Sequence, residues 1–272
     1  MRIEIDDPLD PRIDVFQGLR DHTLRQVRER PDGDMAGVFI AEGDVVVERA
    51  LRAGYRLESM LVDAKRTKPF PAAIPPDVPV YACGPEVLVR ITGYHLHRGA
   101  LACFRRRPLL DFETAVEGAR TVAVMENTNN PTNLGVVLRC AAALGIEAFF
   151  IDPTCSDPLY RRCGRVSMGE AYLLPYTRLD HFPEGLAPLR QAGFQLIALT
   201  PTPDAVPLDD VKLDPDDRVA LMLGAEGPGL TDGTLGAADL HVRIPMAGLV
   251  DSINVGSAAA VAFYGIGLAR KR

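Results

Sequence analysis

Three stretches of this chain carry polar side chains and glycines at spacings that a binding site could use. In Asn133-Leu134-Gly135-Val136-Val137-Leu138-Arg139, a capping-type residue opens an apolar helical pattern and an arginine follows six residues later. Gly135 and Arg139 lie one turn apart and share a helix face, which leaves room beside the guanidinium for a phosphate or a ribose. A lone arginine on a helix is more often a solvated charge, but polar loops after strands of α/β sheets are where ligands bind. In Leu221-Met222-Leu223-Gly224-Ala225-Glu226-Gly227-Pro228-Gly229-Leu230, an apolar run empties into three glycines around one carboxylate. Glycine permits positive φ and close backbone approach. Gly224, Gly227 and Gly229 match neither the dinucleotide fingerprint nor the phosphate loop, and alone they read equally well as a plain turn. The third stretch runs from Ile244-Pro245-Met246 through Leu249-Val250-Asp251 to Ser252-Ile253-Asn254. Its serine and asparagine suit a helix start, where free backbone N–H groups can hold a polar ligand.

The elements that position these residues follow from periodicity and punctuation. A charged helix is expected over 15–30, then a turn at Pro31-Asp32-Gly33-Asp34. Strands over 37–43, 57–62, 78–82 and 100–104 alternate with helices over 44–53 and 85–92, and a proline-rich loop fills 68–79. That spacing predicts a small α/β domain over 1–107. A linker with some helix covers 108–120, and a second domain of mostly parallel sheet covers 121–272. Its strands are expected at 121–125, 148–151, 195–200, 219–223 and 241–244, with helices over 134–144, 186–192 and 254–269.

The composition, 47% hydrophobic and 24% charged, is that of a globular protein with a real core. No apolar run reaches 18 residues and the N-terminus has no basic-then-apolar signal, so a cytoplasmic protein without a membrane span is expected. Cys83, Cys103, Cys140, Cys155 and Cys163 are odd in number and lack CxxC spacing, which points to reduced thiols and to no metal site. The net charge of −6 is unevenly spread: residues 1–108 hold 17 Lys+Arg against 16 Asp+Glu, and residues 109–272 hold 13 against 20. Arg105-Arg106-Arg107 and Arg161, Arg162 and Arg165 form local basic clusters, so the global sign does not exclude nucleic acid.

Taken together, the stretches resemble the SpoU/TrmH-type RNA 2′-O-ribose methyltransferases of the SPOUT superfamily. The match runs in order through Asn130-Pro131-Thr132-Asn133-Leu134-Gly135 to Arg139, Leu223-Gly224-Ala225-Glu226-Gly227 to Leu230, and Ile244-Pro245-Met246 to Ser252-Ile253-Asn254. Arg165-Val166-Ser167-Met168-Gly169-Glu170-Ala171 adds the family's Arg/Ser/Gly turn. The resemblance covers about residues 120–268. Phe39-Ile40-Ala41-Glu42-Gly43 and the helix after it resemble, more loosely, the ribosomal-protein-like substrate-binding domain often fused in front. Ala225 stands where the family often has a polar residue, and Asn130, Asp251 and Ile253 are conservative departures.

The resemblance implies a trefoil-knotted C-terminal α/β domain that transfers a methyl group from S-adenosylmethionine to a ribose hydroxyl. It implies cofactor contacts from Leu199, Thr200, Leu223, Gly224, Ile244, Met246 and Ile253, mostly through the main chain. Arg139 is the candidate catalytic residue, either through a phosphate-assisted proton relay or by pinning a phosphate and stabilising a developing alkoxide. An arginine stays protonated in proteins, which favours the second role. Asn133, Glu226, Ser252 and Asn254 are expected to shape the site, with Glu226 orienting Arg139. Arg105, Arg106, Arg107 and Arg165 are expected to touch RNA, ribosomal in preference to transfer RNA. The apolar, small-residue helix over 254–269 predicts a homodimer, which a charge such as Ala259→Arg should split.

Overall fold

Short apolar runs bounded by glycine and proline become buried strands, and among the described residues they assemble into two sheets. The computed structural model describes residues 1–20, 24–30, 32–70, 74–93, 99–248 and 252–270. Its contacts divide into a unit of Met1–Pro108 with Pro158–Leu173 and a unit of Leu109–Asp157 with Leu174–Arg272. Segment 158–173, which the sequence order assigns to the second half, therefore packs as part of the first unit.

The first unit holds β1 (Arg2–Ile5), β2 (Val38–Glu42), β3 (Leu57–Asp63), β4 (Val80–Cys83) and β5 (Leu101–Arg105) in the order β1-β4-β3-β5-β2. β1, β4 and β3 are parallel, whereas β5 runs antiparallel to β3 and β2. Helix α1 (Asp44–Arg52) buries Val46, Val47 and Ala50, and α2 (Pro85–Thr92) begins on a proline and stops at the left-handed Gly93. Among the described residues of 15–30, shorter turns stand in place of the expected helix. A 3-10 turn, Pro11–Phe16, is capped by Asp10, Gly18 follows at φ +58°, and a separate π-helical turn spans Leu24–Arg28. Residues 21–23 of that expectation, Pro31 of the turn and residues 71–73 of the proline-rich loop lie outside the described residues. Only Ile5 of the four residues of β1 is fully buried, as befits an edge strand, so its pattern carries little signal in the sequence.

Segment 158–173 joins this unit through side chains. Arg161 forms a buried ion pair with Glu42, and Arg49 bonds Glu170 at 2.8 Å. Tyr172 packs on Phe39 with ring centroids 5.1 Å apart. Gly164 makes room for it, since a Cβ there would sit 1.9 Å from the tyrosine hydroxyl.

The second unit holds β6 (Thr121–Met125), β7 (Ala148–Ile151), β8 (Tyr176–Arg178), β9 (Phe194–Leu199), β10 (Val206–Pro207), β11 (Arg218–Leu223) and β12 (Leu240–Arg243). The order is β10-β12-β9-β11-β6-β7-β8, with every pairing parallel. β8 and β10 escaped the sequence reading because two or three residues carry no periodic signal. Val122, Val124, Phe150, Leu196, Ala220 and Met222 form part of the core. Helix α3 (Pro131–Ala143) starts three residues before the expected position, because Pro131 occupies its first turn and Asn130 caps it. Between 186 and 192 a shorter helix, Ala187–Gln191, is formed.

Helix α4 (Val255–Ala269) packs closely on α3, where a Cβ at Gly256 would lie 2.4 Å from a Val136 methyl. Farther along, Gly265 meets Leu208, with 2.5 Å left for a Cβ. The small residues thus serve packing inside the chain. Among the described residues no helix is long and apolar enough to cross a membrane.

Candidate functional site

β12, β9 and β11 are neighbours and parallel, so Arg243, Leu199 and Leu223 end at one edge of the sheet. Carboxyl ends of parallel strands are where ligands bind in such sheets. A cavity of about 1080 Å³ opens there. Its walls are Leu199, Leu223, Ile244, Met246, Ile253 and Val255, with Thr200 to Pro203, the 224–229 loop, Arg243, Ser252 and Asn254 completing it. All seven residues expected to hold a cofactor line this one cavity.

Each glycine of the loop has a structural reason. A Cβ at Gly224 would lie 2.0 Å from the Gly229 carbonyl carbon, so only glycine lets the loop fold back on itself. Gly227 and Gly229 adopt φ +92° and +74°. The Gly229 N–H donates to the Ala225 carbonyl at 3.0 Å, so residue 225 closes the loop through its main chain. That is why alanine is tolerated there.

Three motifs meet around one carboxylate. Asn133 donates from Nδ2 to Glu226 Oε2 at 2.7 Å. Asn254 donates from Nδ2 to Glu226 Oε1 at 3.3 Å and to Asn133 Oδ1 at 3.4 Å. Asn254 Oδ1 meanwhile accepts from the Gly256 N–H at 2.9 Å and caps α4. One side chain thus starts the C-terminal helix and ties it to the other two motifs. Ser252 is exposed at the cavity and is not the cap. Leu249, Val250 and Asp251 of the same stretch lie outside the described residues.

Arg139 is exposed on α3. The expected orientation of Arg139 by Glu226 is not what forms, because the carboxylate receives the two asparagine amides instead. Two residues that the sequence reading left out of the site belong near it. Glu126, only 3% exposed, accepts from the Thr231 N–H and hydroxyl, both at 2.8 Å, and from the Thr234 hydroxyl at 2.6 Å. It holds the far end of the glycine loop. Arg243 lines the cavity itself, and its position directly before Ile244-Pro245-Met246 was the available signal.

The basic residues proposed for RNA separate. Arg105 is exposed and paired with Glu58 at 2.9 Å, and Arg107 lies 4.0 Å over the Tyr55 ring. Arg106 points the other way, half-buried, and donates to the Val38 carbonyl at 2.9 Å. Only Arg105 lies in β5; Arg106, just beyond it, is held to β2 by that bond, so the three do not share one environment. Arg165 remains half-exposed beside Glu42 at 2.8 Å. Among the described residues no group of three or more His, Cys, Asp or Glu is arranged to hold a metal ion.

A family model described as the SpoU rRNA Methylase family matches residues 120–264. A Mycobacterium bovis protein named an uncharacterized tRNA/rRNA methyltransferase is 41% identical over 268 residues, 96% of this chain and 90% of that protein. A Ralstonia nicotianae protein named 23S rRNA (guanosine-2′-O-)-methyltransferase is 32% identical over 186 residues, 66% of this chain and 72% of its own length. A solved structure described as an RNA 2′-O ribose methyltransferase superposes with a TM-score of 0.78 at 28% identity, covering 99% of both chains. The structure of AviRb from Streptomyces viridochromogenes, in complex with AdoMet, shares the fold with a TM-score of 0.77 at 22% identity, covering 95% of this chain and 98% of that one.

Proposed function

This chain is a methyltransferase of the SpoU rRNA methylase family, and from that membership we propose that it methylates a ribose 2′-hydroxyl of ribosomal RNA using S-adenosylmethionine. The observation that carries the proposal is the Glu226–Asn133–Asn254 cluster, which joins three separate motifs beside a single cavity.

The cavity suits the cofactor. A nucleoside is held well by apolar walls and main-chain groups, and Leu199, Leu223, Ile244 and Ile253 supply the walls while the glycine loop supplies backbone. When bound, S-adenosylmethionine supplies the methyl group. The chain's own task is then to align the ribose and to manage its proton and charge. Arg139, exposed on α3, is suited to grip the phosphate beside the target ribose and to offset charge developing on the oxygen. Asn133, Glu226 and Asn254 keep the three motifs in register, and Ser252 offers a hydroxyl at the cavity.

The first unit reads RNA, with the exposed Arg105 and Arg107 and the half-exposed Arg165 offering contacts to the backbone. The C-terminal chain is knotted as in the family; the strand order, in which β11 and β12 flank β9, supports this. The chain forms a homodimer through α4, where Val261 and Tyr264 remain 42% and 58% exposed. It works in the cytoplasm, where its five free thiols stay reduced.

The test is to incubate the protein with labelled S-adenosylmethionine and total cellular RNA, then map 2′-O-methyl positions in ribosomal and transfer RNA from cells with and without it. A methyl mark confined to transfer RNA would replace the ribosomal assignment. No transfer to any RNA would end the proposal.

A further inference from the structure

Two charged residues line the cavity among those described, Glu226 and Arg243. Glu226 is committed to the amides of Asn133 and Asn254. Arg243 is not committed. It is the last residue of β12, following the fully buried Val242, so alternation turns its side chain away from that core position. Its Nε donates to the Ala205 carbonyl at 3.1 Å, which fixes the guanidinium plane. The Ala205 N–H in turn donates to the Thr202 carbonyl at 3.1 Å, which ties the anchor to a residue that lines the cavity. Neither Nη atom makes a hydrogen bond or ion pair within the described residues.

A half-buried guanidinium among apolar walls costs desolvation, and among the described residues no carboxylate pairs with it. Its planar fork is shaped for a carboxylate or a phosphate. We propose that Arg243 binds the carboxylate of the cofactor's amino-acid end, an inference that rests on the cofactor assignment made above. That carboxylate is the one anionic group of S-adenosylmethionine, whose ammonium and sulfonium a guanidinium would repel. A phosphate of the RNA is the competing anion. The position of Arg243 in the cavity lining, with its Nε anchored to the Ala205 carbonyl, favours the cofactor.

Calorimetry on the full chain with S-adenosylmethionine and with decarboxylated S-adenosylmethionine isolates the group in question, since the two probes differ only in the carboxylate. Wild type should prefer the intact cofactor by about tenfold to a hundredfold, the range of a charge-assisted hydrogen bond. Arg243→Ala should lose that preference by weakening only the intact probe. Arg243→Lys, which keeps charge and stem but not the fork, should fall between, and it carries the comparison if the alanine variant does not fold. Equal losses for both probes, or none, overturn the proposal. So does weakened RNA binding with cofactor affinity intact, which would make Arg243 a phosphate contact. If wild type bound neither probe, the cofactor assignment itself would fail, and this inference with it.

Discussion

Arg139 is exposed on α3 and is not among the residues that line the cavity, and Glu226 is bonded to the two asparagines, so the role proposed for it is one toward RNA and not toward the chain's own packing. Replacing it should therefore leave the melting temperature unchanged while turnover falls. Arg139→Ala should lose on the order of 10²-fold or more, the scale of a lost oxyanion donor. Arg139→Lys should also lose most activity, because charge without the planar fork cannot grip a phosphate at two points. Single-turnover methylation beside cofactor titration checks this, and wild-type turnover in the alanine variant would exclude the role. The cysteines present a contrast at the same scale. Burial pushes the Cys83 thiol up to about 11 and Cys103 up to about 12, and raises Cys155 further. The thiolate is the reactive form, so buried, protonated thiols should resist alkylation. Native protein treated with iodoacetamide near neutral pH should label half-buried Cys140 first, with Cys83, Cys103, Cys155 and Cys163 modified only after denaturation. Peptide mass spectrometry reads the order.

Helix α4 begins on a residue with two jobs. Asn254 satisfies the Gly256 N–H through Oδ1 and bridges to Glu226 and Asn133 through Nδ2. The two jobs separate by substitution. Asn254→Ala loses the cap, a cost of about 1 kcal/mol, and loses the bridge as well. Asn254→Ser restores a good cap but is too short to reach both partners. Thermal melts should place the serine variant within a few tenths of a kcal/mol of wild type, while both variants lose turnover. A serine variant with wild-type turnover would show that the bridge does not matter.

At the scale of the molecule, the surface that α4 leaves open decides how to test the dimer. Ala259 is 0% exposed within the single chain, so Ala259→Arg would disrupt the chain's own packing and report nothing about association. Val261 and Tyr264 lie on the open face, at 42% and 58%. Val261→Arg and Tyr264→Arg should fold normally, sediment as monomers and lose activity. The wild type should sediment as a dimer, with an obligate interface of order 2,000 Å² or more in total. Full activity from a wild-type monomer at micromolar concentration would remove the dimer from the account.

The sequence by itself determined the alternation of strands and helices, the helix start at Asn254, and the family, because each is written in neighbouring residues: a cap, a periodic apolar run, a motif. The resemblance of its motifs to the family also named residues that line the cavity. What tertiary structure decided is what each side chain faces. Glu226 could meet Arg139 or the asparagines, and only the approach of α3 and α4 through Gly256 gives it to Asn133 and Asn254. Arg105, Arg106 and Arg107 are one basic run in sequence, yet Arg106 turns to the Val38 carbonyl while the other two stay exposed. Segment 158–173 belongs by order to the second half and by packing to the first unit, because Arg161 and Tyr172 find Glu42 and Phe39 there. Those pairings span more than a hundred residues of chain. Local propensity does not specify partners at such separation; they are set by the shape and charge of surfaces that exist only once the sheets have formed.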